Sequence, residues 1–354
     1  MTLLSKSLYC TLNGISPKVA LMTLQGLKMT KVTILLYPNV SAAQVSGFID
    51  LYRFANDLWQ YQHPGASALY QTQLADLTGQ TQYHTGCLSF HCLPVIPCDT
   101  DILLIPGSYA HEPTSLVQII ELFAAHKLQF QQIQQLGGLI GASCNGTFAL
   151  AATGLLDKQC ATTCWFLVDY FKRSFPQVLL KPEMAVVQSS QFCTAGATTS
   201  YIQLGLLMVQ IQQGAVFSQQ LAKLMVTESA ITQQAPFLSV QQLVPHQDLQ
   251  ISEVQQFLRR NYADELVLAE IADKFAMSER TLIRRFKQAT GDTPMAWLQK
   301  LRVDKAKQLL ETTLLPIDDL PQAVGYADLS SFRKLFQQYT SLSPKVYRER
   351  FYLR

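Results

Sequence analysis

The chain has 354 residues, of which 48% are hydrophobic and 15% charged, and carries a net charge of +3. That length exceeds what one core usually serves, so two domains with globular composition are expected. No uninterrupted apolar run reaches the roughly 18 residues a membrane span needs, and the first residues lack the order of a secretory signal, which points to the cytoplasm. The charge is uneven: from Gln250 onward 17 Lys and Arg face 13 Asp and Glu, against 11 and 12 before it. The basic surplus lies where a polyanion would be met. Eight cysteines (Cys10, Cys87, Cys92, Cys98, Cys144, Cys160, Cys164, Cys193) show no C-x-x-C spacing. Without an export signal they read as free thiols, with no metal and no cofactor expected.

Residues 1–28 show no clean period and read as an extension, or as lying upstream of a true start at Met29. From there to residue 230 short apolar runs alternate with amphipathic stretches. Val32–Tyr37, Asp101–Ile105 and Leu139–Ala142 read as strands, and Ser115–Gln129, Gly146–Thr153 and Ala215–Thr227 as helices. Strands alternating with helices predict an α/β domain with a largely parallel sheet over residues 29–230.

Within it, Gly141-Ala142-Ser143-Cys144-Asn145-Gly146 follows a strand and opens a helix. A nucleophile on such a turn projects from the sheet edge beside a helix N-terminus, which favours a thiolate. Together with Tyr37-Pro38, Ile105-Pro106-Gly107, Ala152-Thr153-Gly154-Leu155-Leu156-Asp157 and Ala161-Thr162-Thr163, this stretch resembles the PfpI-like branch of the class I glutamine-amidotransferase-like superfamily. The resemblance spans about Lys31 to Thr227 and implies a flavodoxin-like sandwich, a parallel sheet with helices on both faces.

Thiolate catalysis needs a base. Enzymatic relatives carry a histidine after the Ala-Thr-Thr triplet, where Cys164 stands here. Active relatives also carry an early aspartate where this chain has Gln44. Nothing in the spacing of His84, His91, His111 or His126 ties them to Cys144. The resemblance therefore implies a degenerate pocket without catalytic residues, lined by Gln44, Gly107, Ser108, Cys144, Asn145 and Cys164. All six are uncharged, which suits a small neutral or cationic effector. The alternatives are a pocket that binds nothing in a domain that only dimerises, an oxidant-sensing Cys144, and a cysteine-dependent hydrolase or hydratase with Cys144 as nucleophile.

Residues 231–248 include Gln233-Gln234-Ala235-Pro236 and Pro245-His246-Gln247 and read as a linker. Beyond it, over residues 249–354, everything reads helical. Leu268, Ile271, Ala272 and Phe275 share one helix face. After a short turn Ser278 is placed to cap a second helix, with Leu282 and Phe286 inward and Arg280, Thr281, Arg284, Arg285 and Lys287 largely outward. Two helices joined by such a turn form a helix-turn-helix motif, whose second helix enters a major groove.

The construction repeats. Ile317, Leu320, Val324, Gly325 and Tyr326 match Leu268, Ile271, Phe275, Ala276 and Met277 at an offset of 49, and Phe332 and Phe336 match Leu282 and Phe286 at 50. Asp328 is placed as the second cap, with Ser330, Ser331, Arg333 and Lys334 on or near the exposed face. Thr293-Pro294 opens a long helix between the motifs, running to about Leu310. A helical bundle whose cations merely face solvent is the plainer alternative.

These residues, with the run Arg284-Arg285-Phe286-Lys287 to Gly291, Leu301-Arg302, Ala306, Ser343-Pro344 and Tyr347-Arg348, resemble the AraC/XylS family of transcription regulators from Ile251 to Arg350. The resemblance implies double-stranded DNA as partner, two successive major grooves being contacted. Ser278, Arg280, Thr281, Arg284 and Arg285 would serve the first groove; Asp328, Ser330, Ser331, Arg333 and Lys334 would serve the second. One departure is Pro321, where the family has alanine; it predicts a shortened or bent support helix. Joined to the PfpI-like domain, this end implies a ligand-responsive, homodimeric regulator in the cytoplasm, with a small-molecule effector and RNA polymerase as further partners.

Overall fold

A computed structural model describes residues 29–109, 113–227, 234–237, 246 and 248–353. The described chain divides into two compact units, residues up to Cys164 with Ser174–Thr232, and Trp165–Arg173 with Gln233–Arg354. The expected extension 1–28, His111, and linker residues 231–233, 238–245 and 247 lie outside the described residues. Among the described residues no helix is long and apolar enough to cross a membrane.

The first unit is built on a seven-stranded sheet. Its strands are β1 (Thr30–Leu36), β2 (Tyr70–Asp76), β5 (Leu93–Pro94), β6 (Ile102–Ile105), β7 (Leu139–Ser143), β10 (Val186–Ser189) and β11 (Phe192–Ala195), in the order β10-β11-β7-β6-β1-β2-β5. All neighbours run parallel except β10 and β11. Val32, Ile34, Leu35, Leu36 and all of Ile102–Ile105 are buried. Unbroken apolar runs of this kind belong to strands covered on both faces. Helices α1 (Ala42–Gln62), α6 (Tyr201–Gln213) and α7 (Ala215–Leu224) pack together as one group, and α2 (Pro113–Ala125) and α4 (Gly146–Ala152) as another. β3 (Gln82–Thr85) with β4 (Leu88–His91), and β8 (Cys160–Ala161) with β9 (Leu179–Leu180), form two small ribbons beside the sheet. The α/β sandwich with a mostly parallel sheet stands as expected.

Three boundaries differ from the expectation. The helix read over Ser115–Gln129 is two, α2 and α3 (Lys127–Gln135), broken at His126. There the His126 N–H turns to the Phe123 carbonyl at 3.1 Å, and Nδ1 meets the Leu122 carbonyl at 2.8 Å. No proline or glycine marks that break. Helix α7 stops at Leu224, short of Thr227. Asp248, read as the last linker residue, caps a helix of the second unit through a hydrogen bond from the Ile251 N–H.

The second unit holds α5 (Val168–Ser174) with α8 (Leu249–Arg260), α9 (Leu268–Lys274), α10 (Glu279–Thr290), α11 (Pro294–Thr312), α12 (Leu320–Ala323), α13 (Leu329–Thr340) and α14 (Pro344–Phe351). Two apolar clusters organise it. One joins Ile251, Val254, Leu258, Ile271, Leu282 and Phe286 to Trp297, Leu298 and Leu301. The other joins Val303, Ala306 and Leu310 to Leu320, Val324, Phe332, Phe336 and Tyr347. Helix α11 thus serves both cores, its first half one and its second half the other. Thr293 caps it and Pro294 occupies its first turn, where a missing N–H costs nothing.

Candidate functional site: two helix-turn-helix faces and a cysteine elbow

In the first motif α9 ends at Phe275, and Ala276 takes a left-handed conformation with φ +51°. The Met277 N–H then reaches back to the Ala272 carbonyl at 2.9 Å, and Ser278 caps α10 by accepting from the Thr281 N–H at 3.2 Å. The Ser278 hydroxyl also donates to the Thr281 Oγ1, so Thr281 is half-buried beside its cap. Leu282 and Phe286 are fully buried, Phe286 edge-on to Trp297 with centroids 5.9 Å apart. That anchoring leaves Arg280, Arg284 and Lys287 exposed, and among the described residues neither Arg280 nor Arg284 enters an ion pair.

The second motif repeats these contacts. Gly325 replaces Ala276 in the left-handed turn (φ +84°), and the Tyr326 N–H reaches the Pro321 carbonyl at 2.8 Å. Asp328 caps α13 twice, accepting from the N–H groups of Ser330 (3.1 Å) and Ser331 (2.6 Å). Bonds from the Ser331 hydroxyl and from these amides hold its carboxyl below the usual range. Ser330, Ser331, Arg333 and Lys334 are exposed. Arg333 meets Asp318 at 3.1 Å, both largely in solvent; a pair of that kind contributes little and exchanges readily for another anion. As Pro321 predicts, α12 is short, four residues beginning after Asp319 against seven in α9.

Arg285 departs from the expectation that it faces the groove. Its guanidinium lies half-buried against Asp248, with Nη2 2.7 Å from Oδ1 and Nε 3.1 Å from Oδ2, and Nη1 donates to Gln250. Burial acts to raise the Asp248 pKa. The Arg285 hydrogen bonds, the Ile251 N–H and the charges of Arg285 and His246 outweigh it and hold the carboxyl low. Asp248 is 37 residues from Arg285 in sequence and sits in what reads as linker, so no local pattern announces the pair.

In the first unit, β7 delivers Cys144 to a strained turn with φ +56°, directly before Asn145 and α4. Gly146 is required there: a Cβ on it would lie 2.6 Å from the Pro106 carbonyl oxygen. The six candidate pocket residues do come together, all buried. Gln44 Oε1 accepts from the Gly107 N–H and the Ser143 hydroxyl, both at 2.5 Å, while its Nε2 donates to the Thr198 carbonyl. Asn145 Oδ1 accepts from the Ser108 N–H at 2.7 Å, and its Nδ2 donates to the Ser108 carbonyl and hydroxyl. A hydrogen bond from Cys164 pulls the Cys144 thiol below its ordinary pKa against burial, helped by the Asn145 N–H and by Thr198, whose Oγ1 is 3.9 Å from Sγ. Burial and that same bond push Cys164 up. Among the described residues no group of His, Cys, Asp or Glu is arranged to hold a metal ion. Ser143 and Thr163, which belong to the motifs carrying the resemblance but not to the expected pocket lining, join this cluster, as does Thr198, which no motif includes and which lies 154 residues from Gln44.

The second unit is thus a double helix-turn-helix domain, and residues 271–350 match the helix-turn-helix domain family. The chain is also similar to proteins described as HTH-type transcriptional regulators and activators. It is 23% identical over 214 residues to the HTH-type transcriptional regulator GbdR of Pseudomonas aeruginosa, a match covering 60% of this chain and 58% of that protein. It is 37% identical over 93 residues to the HTH-type transcriptional activator RhaS of Escherichia coli, over 26% of this chain and 34% of RhaS. The chain therefore spans less than two thirds of these relatives. Among solved structures, an AraC family transcriptional regulator from Pseudomonas putida is similar with a TM-score of 0.44 and 17% identity, over 55% of this chain and 99% of that one.

Proposed function

We propose that the chain is a sequence-specific DNA-binding transcription regulator, responsive to a small molecule through the α/β unit. The observation that carries the reading is the pair of capped helices, α10 and α13, each anchored by two buried apolar residues and each presenting exposed cations. Arg280 and Arg284 suit bidentate reading of guanine, while Ser330, Ser331, Arg333 and Lys334 suit phosphate and base-edge contacts. The domains are residues 29–230 for sensing and dimerisation and 249–354 for DNA, with 231–248 between them. The protein works in the cytoplasm as a homodimer, with RNA polymerase as a further partner.

The α/β unit senses rather than catalyses. An acyl or nitrile reaction at Cys144 would draw on backbone donors beside it to hold developing negative charge. The Gly107 and Ser108 N–H groups of the adjoining loop are already taken by the side-chain oxygens of Gln44 and Asn145, and the Asn145 N–H meets the thiol itself. The thiol's partners among the described residues are Cys164, Thr198 and a backbone amide, none of which is a base near neutral pH.

The test is to select duplexes from a randomised pool with the full chain and titrate them at several salt concentrations. The reading predicts saturable, sequence-selective binding that weakens with salt but keeps its selectivity. Unselective binding governed by salt alone would overturn it. Cys144→Ala is expected to leave that binding intact.

A further inference from the structure

The two motifs are fastened by different means. In the second, Leu335 holds the place that Arg285 has in the first, and it packs against the apolar core around Phe332 and Phe336. In the first, a cation fills that place and the start of α8 receives it. Asp248 engages two guanidinium nitrogens, and the Gln250 Oε1 accepts from a third at 2.5 Å. The Gln250 Nε2 donates in turn to the Phe275 carbonyl at the end of α9, at 2.9 Å. The Met277 sulfur of the turn lies 3.9 Å from Arg285 Nη1. Support helix, turn and recognition helix are therefore tied to one point, the first turn of α8, which Asp248 itself caps.

A two-point guanidinium–carboxylate contact fixes direction as well as distance, which a lysine or an apolar contact does not. Base reading demands that kind of control, since side chains that meet base edges must be held near one geometry. We infer that Arg285 is a positioning residue, setting the angle of α10 through Asp248 and Gln250 and leaving groove contacts to Arg280 and Arg284. This rests on the DNA-binding reading above. A direct DNA contact by Arg285 would require the Asp248 pair to be given up, and would leave that carboxylate without its cation.

The experiment uses the full chain and a duplex that the wild type selects from a randomised pool. Every base pair of that duplex is then varied singly for wild type, Arg285→Ala, Asp248→Asn and Arg284→Ala. Asparagine still caps a helix, so Asp248→Asn removes the charge and spares the cap. Arg285→Ala and Asp248→Asn are each expected to weaken binding about tenfold, the size of a partly desolvated charged contact. Both should flatten discrimination across the whole half-site served by the first motif and leave the other half-site sharp. The salt slope should stay as in the wild type, whereas Arg284→Ala lowers it by about 0.9 if it neutralises one phosphate.

Loss of discrimination at a single base pair in Arg285→Ala, or a fall of its salt slope by about 0.9, would make Arg285 a direct contact and overturn the inference. So would tighter binding by Asp248→Asn, the sign expected if the carboxylate merely repelled DNA. Equal loss in both half-sites would mean a general folding defect and would overturn it too. Failure of the wild type to select any duplex would sink the DNA-binding reading itself, and this inference with it.

Discussion

Ala276 and Gly325 occupy the same left-handed position in the two turns, yet only one is glycine. A Cβ in that region costs about 1–2 kcal/mol, part of which glycine gives back through the freedom of the unfolded chain. Ala276 is exposed, so nothing but its own backbone resists the change. Ala276→Gly is expected to stabilise the fold by about 0.5–1 kcal/mol in denaturant titration. The reverse change at Gly325 meets more than torsional cost. Its Cβ would stand 2.8 and 2.9 Å from the carbonyl oxygens of Ala263 and Tyr262. Gly325→Ala should therefore destabilise by about 2 kcal/mol or more. The thiol pair gives a second test at this scale. Cys164 donates to Cys144 and favours its thiolate, so Cys164→Ala should raise the Cys144 pKa. Alkylation of Cys144 by a small reagent between pH 7 and 8, about where free thiols begin to ionise, should then slow. Unchanged or faster alkylation would remove Cys164 as the source of the shift.

The elements show why one part of the molecule was legible and another was not. The double motif could be read because each of its signals is local. Apolar residues recur at helical spacing, Ser278, Thr293 and Asp328 stand directly before the helices they cap, and the second copy confirms the first. Pro321 was legible for the same reason. The turn uses the carbonyl of that residue, as it uses the Ala272 carbonyl in the first motif, so proline keeps the turn and only delays the helix. Pro321→Ala should let α12 begin near Ile317, as α9 begins at Leu268. Slower hydrogen–deuterium exchange over residues 317–324 would show it, and unchanged exchange would assign the short helix to packing instead. What escaped is what depends on distance along the chain. The Asp248–Arg285 pair joins a helix to a segment with linker composition, and Thr198 meets Gln44 only because the parallel sheet brings remote loops to one edge. The break at His126 carries no glycine or proline, so periodicity ran through it.

At the scale of the whole molecule, the surplus of cations lies in the part built on α11 and the polar cluster in the part built on the sheet. The cluster around Cys144 is closed by its own amides, while α10 exposes Arg280, Arg284 and Lys287 and α13 exposes Arg333 and Lys334. Under the proposed function, that contrast places recognition of a polyanion in the second unit. Two motifs sharing one helix should read one face of a duplex in successive major grooves. The most direct measurement is a nuclease footprint of the full chain on a duplex it selects. The account predicts two protected segments centred about 10 base pairs apart. Arg284→Ala should erase one of them, and the double change Arg333→Ala with Lys334→Ala the other. A footprint indifferent to both variants, or uniform protection that vanishes with salt alone, would contradict it.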